Sequence, residues 1–189
     1  MNDTIELLRR RRSVPPQGMT GPGPTPDEIE TMLRIASRIP DHGKLAPWRF
    51  LVIEGAARDR AGAIAAGILQ GDDPALPEAR RQTELSRFSR APLVIGVISR
   101  AAPHVKIPEW EQVLSAGAAC TMLVVAANAL GYLSAWLTEW CAYDRRFCAA
   151  IGLGETEKIA GFVHIGRPNM VSEDRPRPAL ADVVSRLEP

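Results

Sequence analysis

Apolar positions in this chain follow two patterns, a three-to-four-residue period and short unbroken runs. Ile29, Met32, Leu33, Ala36 and Ile39 recur at spacings of three and four, which predicts a helix with one apolar face. Thr25 can cap it, Pro26 suits its first position, Glu28 can close a capping box, and Pro40 should end it. Four short apolar stretches read as strands: "FLVIE" (50–54), "PLVIGVIS" (92–99), "YLSAWLT" (132–138) and "KIAGFVHIG" (158–166). The second, bounded by Pro92 and Arg100, has the continuous apolar character of a central strand.

Helices fill the intervals. One runs from Thr4 to Arg11, with Asp3 as a cap and Glu6 closing its box. Others cover "ARDRAGAIAAGILQ" (57–70), the polar and outward-facing "EARRQTELSRFSR" (78–90), "DRRFCAAIGL" (144–153) and "PALADVVSRLEP" (178–189). The longest, from Glu109 to Leu130, ends at Gly131. Residues 14–24, "VPPQGMTGPGP", hold five prolines or glycines in their last seven positions and read as a surface loop without regular structure. With no internal repeat, the pattern implies one domain over residues 1–189, of α/β or α+β class, around a small mixed sheet.

Composition narrows the function classes. Apolar residues make up 46% and charged residues 24% of the chain, which is ordinary for a globular protein. A formal net charge of +1 argues against a dedicated nucleic-acid binder. Cys120, Cys141 and Cys148 form no CxxC pair, and the arginines of "MNDTIELLRRRR" follow its apolar run, the wrong order for a signal peptide; a reducing cytoplasm is the expected setting. No charge occurs from Gln112 to Thr138, a stretch long enough for a bilayer. Its Ser, Thr, Asn, Gly and Ala content instead predicts a core helix followed by a strand, with small residues that admit another backbone or a flat ligand.

Several chemistries lack their motifs. There is no GxSxG and no P-loop, and "GPGPTP" neither follows a strand nor completes a dinucleotide fingerprint. His42, His104 and His164 show no metal-ligand spacing, and no side chain stands out as catalytic. Anion-binding capacity is present: "RRRRS" (9–13) at a helix-to-loop junction, Arg167 after the last strand, and Arg38, His42 and Lys44 around one loop. Each alone reads more readily as solvated surface than as a site. Together with the uncharged "AWLT" strand they suggest a cofactor with a phosphate at one end and an aromatic ring system at the other, carrying the hard chemistry itself.

The segments "LLRRRRSV", "RIPDHGKLAPWRFLVIEG", "PEWEQVLSAGAACTMLVVAANALGYLSAWLT" and "KIAGFVHIGRP", in that order, resemble the nitroreductase-like flavoproteins, and within them the YdjA-type NAD(P)H branch. The resemblance covers roughly residues 4–170. It implies an α+β homodimer with a central mixed sheet of four to five strands flanked by helices, binding FMN at two equivalent sites built from both chains. It implies that Arg11, Arg12 and Ser13 contact the phosphate and ribityl end, and that Arg38 and His42 reach the flavin of the other subunit. Trp136, Leu137 and Thr138 match the strand bordering the flavin, and Arg167 a basic phosphate contact. Ala126, Ala127, Asn128, Ala129, Leu130 and Gly131 match a segment assigned to the nicotinamide nucleotide.

The activity so implied is NADH- or NADPH-driven reduction of nitroaromatic, quinone or similar small acceptors by ping-pong kinetics, without a metal, nucleic acid or membrane. Other flavin chemistry on the same fold, or a non-catalytic anion-binding protein, are the alternatives. The chain departs from the family pattern at Pro15, where relatives often carry a basic residue, at Lys44 and Ala46, and at Leu137-Thr138.

Overall fold

In a computed structural model, described over residues 3–169 and 173–188, seven helices and five strands form. The helices are α1 (Asp3–Arg10), α2 (Pro26–Ala36), α3 (Ala56–Asp72), α4 (Glu78–Leu85), α5 (Glu109–Ala129), α6 (Arg145–Ala150) and α7 (Leu180–Val183). The strands are β1 (Met19–Thr20), β2 (Trp48–Glu54), β3 (Leu93–Ser99), β4 (Leu133–Leu137) and β5 (Lys158–Pro168). Pro189, the last residue of the expected terminal helix, lies outside the described residues.

β5 organises the sheet. It pairs antiparallel with β1, β3 and β4, and β3 pairs antiparallel with β2. The parallel component among the described residues is a single bridge, Ser13 to Ser134. β1 corrects the expectation of an irregular 14–24 loop: Met19 opposes Pro168 and Thr20 opposes Arg167. Two paired residues are too few to show a period among prolines and glycines, but Met19 is buried against Ala91 and Ala135.

Both faces of the sheet are covered, so β3 carries no polar face. Leu93, Ile95 and Val97 pack with Met32 of α2 and with Ala119, Leu123 and Ala127 of α5. Val94 and Ile98 point the other way, onto Ala61 and Ala65 of α3 and Phe147 of α6. On β5 the alternation slips once. Val97 opposes Gly161 but Ile98 opposes Ile159, which leaves Ala160 as an extra residue and puts Ile159 and Phe162 on one face.

α2 shows how local chemistry sets an element's limits. Thr25 and Glu28 form the full capping box and Pro26 holds the first position. The helix stops at Ala36, four residues before Pro40, because a following proline disfavours helical backbone and the Ser37 hydroxyl donates to the Leu33 carbonyl at 2.8 Å. Asp3 lies inside the first turn of α1 rather than ahead of it. α4 ends at Leu85, and its polar appearance is misleading, because Glu84 is fully buried. α5 is long and apolar enough to cross a membrane, yet half of that window is buried within the fold. It is a core helix with one open side.

His164 sits on β5, only 1% exposed, and neither ring nitrogen has a hydrogen-bond partner. It packs parallel to Phe88, ring centres 6.5 Å apart. Burial, with help from Arg90, pushes its pKa from 6.5 down to about 4. The folded chain therefore holds His164 neutral where the unfolded chain would bind a proton. Stability should fall as pH drops from about 6.5 towards 4, by up to about 3 kcal/mol from this group. Urea titrations of His164→Leu across that window should show a flatter pH dependence than the parent; identical slopes would refute the assignment.

Candidate functional site

The end of β4 carries the most exposed aromatic of the sheet. Trp136 is 39% exposed, and its indole N–H donates to the carbonyl of Ala160, the bulge residue, at 3.0 Å. The indole lies over Gly161, where a Cβ would stand 1.9 Å from Nε1 and 2.2 Å from Cδ1. Its far edge reaches Gly117 of α5. Two glycines and a bulge thus make a seat for one flat side chain. Leu137 points to the opposite face, where it packs near Met19 and Ala135, and Thr138 follows, half-buried.

The chain after α1 runs beside β4. Ser13 bridges Ser134, and the Val14 N–H donates to the Ser134 carbonyl at 3.1 Å. Asn128, near the end of α5, donates to the Ser134 hydroxyl at 2.7 Å and to the Val124 carbonyl at 2.8 Å. Arg11 and Asn128 line one cavity of about 310 Å³ with Leu7 and Arg10. Arg12 is half-buried, and its Nε–H is buried without an acceptor. An orphaned guanidinium donor calls for an anion or a strong acceptor. Arg167 lies two residues beyond Ile165, the partner of Ser134, so it shares this end of the sheet. Its Nη2 donates to the Tyr132 hydroxyl at 3.1 Å and its guanidinium covers the Tyr132 ring at 4.8 Å. The same hydroxyl donates to Glu28 at 2.9 Å, tying Arg167 to the capping box of α2.

Of the six residues at 126–131, Ala126 and Ala127 are fully buried in the core and offer a ligand no surface. Leu130 is half-buried, Ala129 and Gly131 are exposed, and Asn128 faces the Arg11 cavity.

The loop at 38–48 stands elsewhere. Arg38 is exposed, and His42 Nδ1 lies 2.6 Å from Glu111 Oε2 in the first turn of α5. Gly43, Lys44 and Ala46 all have positive φ, at 72°, 56° and 45°. The Asp41 carboxylate offsets that strain by accepting from Leu45 N at 3.0 Å and Ala46 N at 2.9 Å. Ser115 of α5 donates to the Pro40 carbonyl at 2.7 Å and accepts from the Trp48 indole at 3.2 Å. Sequence reasoning found His42 and Lys44 here but not their holders, Asp41 and Ser115.

Glu111 and Asn128 are 17 residues apart on one straight helix, or about 25 Å at 1.5 Å per residue. His42 and the Arg11–Arg12–Ser13 group are therefore at opposite ends of α5. The structure brings Arg11, Arg12, Ser13 and Asn128 together, with Arg167 at the same end of the sheet. Trp136, against Gly117, lies about 16 Å back along α5, and Arg38 and His42 lie towards its start.

A second group was illegible in the sequence. Glu139, directly after Thr138, has φ 52° and ψ 175°, a conformation essentially reserved for glycine and costing about 1–3 kcal/mol in other residues. Arg87 Nη1 and Arg90 Nη2 reach its carboxylate at 2.5 and 2.7 Å. Arg87 also donates twice to buried Glu84, at 2.6 Å, and the Trp140 indole reaches Glu84 at 3.0 Å. Burial raises the pKa of Glu139, but the bond from Arg90 and the charge of Arg87 outweigh it and hold the carboxyl below its ordinary value. The spacing of Glu84 and Arg87 hints at a helical pair, whereas nothing local links either to position 139.

Comparison with known proteins places the chain in a family. The pattern of the Nitroreductase family matches residues 8–167, and the chain belongs to that family. It is 37% identical over 174 residues to an Escherichia coli K12 protein named "Putative NAD(P)H nitroreductase YdjA", covering 89% of this chain and 90% of that one. Among solved structures, a nitroreductase-like protein of Bacillus cereus superposes with TM-score 0.86 at 22% identity, covering 100% of this chain and 97% of that chain. A Desulfovibrio desulfuricans structure described as a nitroreductase in complex with FMN gives 0.75 at 23%, with 100% and 99% coverage. At these identities the structures establish the fold.

The residues present fit a group with an anionic end and a flat end. The orphaned Arg12 Nε–H, with Arg11 and Ser13, suits the first, and the seated Trp136 suits the second. Gly161→Ala should unseat the indole and cost about 1–3 kcal/mol in urea unfolding. In a Trp136→Leu background the same alanine should cost less than half as much. Additive costs would mean that Gly161 does not serve Trp136.

Proposed function

We propose that the chain acts as one domain, over residues 1–189, in a homodimeric FMN-dependent NAD(P)H oxidoreductase of the cytoplasm. Its acceptors on this reading are nitroaromatics, quinones or similar small electron-poor molecules. The observation that carries the cofactor is the acceptorless Arg12 Nε–H beside Ser13, in a chain of the Nitroreductase family. The two relatives whose names or descriptions mention NAD(P)H and FMN support the same cofactors.

Arg11, Arg12 and Ser13 would hold the phosphate and ribityl end, with Arg167 as a further cation. Trp136 and Thr138 would border the ring. The chemistry FMN supplies when bound is a two-electron relay from NAD(P)H to the acceptor. The chain's own part is to bind, to orient both substrates in turn at one face, and to keep water away. No side chain is assigned as acid or base. One face serving donor and acceptor alternately gives ping-pong kinetics. Asn128, Ala129 and Gly131 have the exposure to meet a nicotinamide nucleotide; Ala126, Ala127 and Leu130 shape that helix end from within.

The second copy is supported by α5. Trp110, Val113 and Leu114 are 68%, 41% and 53% exposed on one side of it, and Thr121 continues the stripe. Ile5 and Leu8 of α1 are exposed too. Such a patch asks for a partner. Under two-fold symmetry an antiparallel pairing of two α5 helices sets the start of one beside the end of the other. Arg38 and His42 of one copy would then stand beside the Arg12 end of the other, about 25 Å (about 17 helical rises) closer than within one chain.

The purified protein should be yellow, release FMN on denaturation, and give parallel double-reciprocal lines with NAD(P)H and a quinone or nitroaromatic. A colourless chain that stays empty in excess FMN would refute the reading. Arg12→Ala should raise the FMN Kd by roughly ten- to a hundredfold, the size of a lost charged hydrogen bond. Leu114→Glu should give a folded monomer by sedimentation that retains little FMN. A variant monomer that binds FMN as tightly as the parent would separate the cofactor from the dimer.

A further inference from the structure

The segment Trp136-Leu137-Thr138 is fixed at its first residue by the Ala160 carbonyl and the Gly161 seat. Its strand pairing ends at Leu137, opposite Phe162. Beyond that point the chain must leave the sheet, and it does so through Glu139, at φ 52° and ψ 175°. A residue with a Cβ avoids this region unless its surroundings over-determine it. The surroundings here are a preassembled grip. Arg87, its side chain 6% exposed, is held by Glu84 before it meets Glu139. Arg90 donates from Nε to the Arg87 carbonyl at 2.7 Å and from Nη2 to Glu139. The next residue, Trp140, is tied to Glu84.

We propose that Glu139 is a positioning residue: its carboxylate, gripped by Arg87 and Arg90, forces a glycine-type turn that fixes where Trp136-Leu137-Thr138 ends and so presents that segment to the cofactor. The proposal rests on the FMN reading for the word cofactor, and on the fold alone for the clamp. Glu139 itself faces the arginines and touches no reacting group.

Two variants separate backbone from charge. Glu139→Ala and Glu139→Gly lose the same carboxylate and leave the same arginines. Glycine can take the turn unaided, whereas alanine without the grip should relax out of it. FMN should therefore bind at least fivefold more weakly to Glu139→Ala than to Glu139→Gly, and the visible flavin bands of the alanine variant should shift. In the ligand-free chain, amide exchange over residues 133–138 should likewise be faster in the alanine variant by threefold or more. A residue that only stabilised the fold would leave the FMN affinities of the two folded variants equal, whatever their urea midpoints. Equal FMN affinities and equal exchange, or glycine worse than alanine, would overturn the clamp. A parent chain that takes up no FMN refutes the functional reading by itself, and the exchange comparison then decides the clamp on its own.

Discussion

β5 is the strand on which the other elements depend, because it is paired along its length and still carries a defect. Antiparallel partners on β1, β3 and β4 satisfy its backbone. With the ladder so anchored, the extra residue at Ala160 is tolerated, and its freed carbonyl becomes the acceptor for Trp136. The next residue must then be glycine, since the indole occupies the space of a Cβ. A ladder defect, a missing side chain and an exposed ring are one construction. It sits on the sheet face shared with α5, whose Gly117 meets the far edge of the same ring.

The other face shows how the fold handles charge. Glu84 is completely buried and Arg87 nearly so, an arrangement whose desolvation cost offsets much of its Coulomb gain. Its value is therefore better sought in geometry than in stability. Glu84 and the Arg87 carbonyl keep the two arginines in place with or without Glu139, so the grip is already assembled when its carboxylate arrives. Two charged hydrogen bonds from that grip are comparable to the strain of the Glu139 turn and offset it. His164 lies on the same face without any partner, and there the fold settles on the neutral form instead.

Local signals were legible and distant ones were not. The capping box at Thr25–Glu28 and the β3 run depend on neighbours in sequence, and both appear where the pattern places them. β1 was missed because two residues carry no period; only Met19's burial under the sheet explains it. "RRRRS" identified the cationic junction by composition alone, but could not tell which arginine would keep an unsatisfied donor; packing singles out Arg12. Asp41 and Ser115 look ordinary in sequence, and become holders of the His42 loop only when its backbone turns left-handed at Gly43, Lys44 and Ala46. Glu139 is the extreme case, since its partners lie 49 residues or more away.

α5 joins these parts. Its inner side is buried and, Leu123 apart, small (Ala116, Ala119, Cys120 and Ala127), which lets β3 and β5 approach closely. Its outer side, Trp110, Val113 and Leu114, is large and bare. Half of its long apolar window is buried within the fold and the rest is open. On the proposed dimer, α5 would be a helix sandwiched between its own sheet and a second copy. Because its first turn holds the His42 loop and its last holds Asn128 beside Ser134, whatever covers the outer side also decides which cations face each other. On the proposed dimer the apolar stripe and the two polar ends would be one constraint, met at once by a symmetric copy.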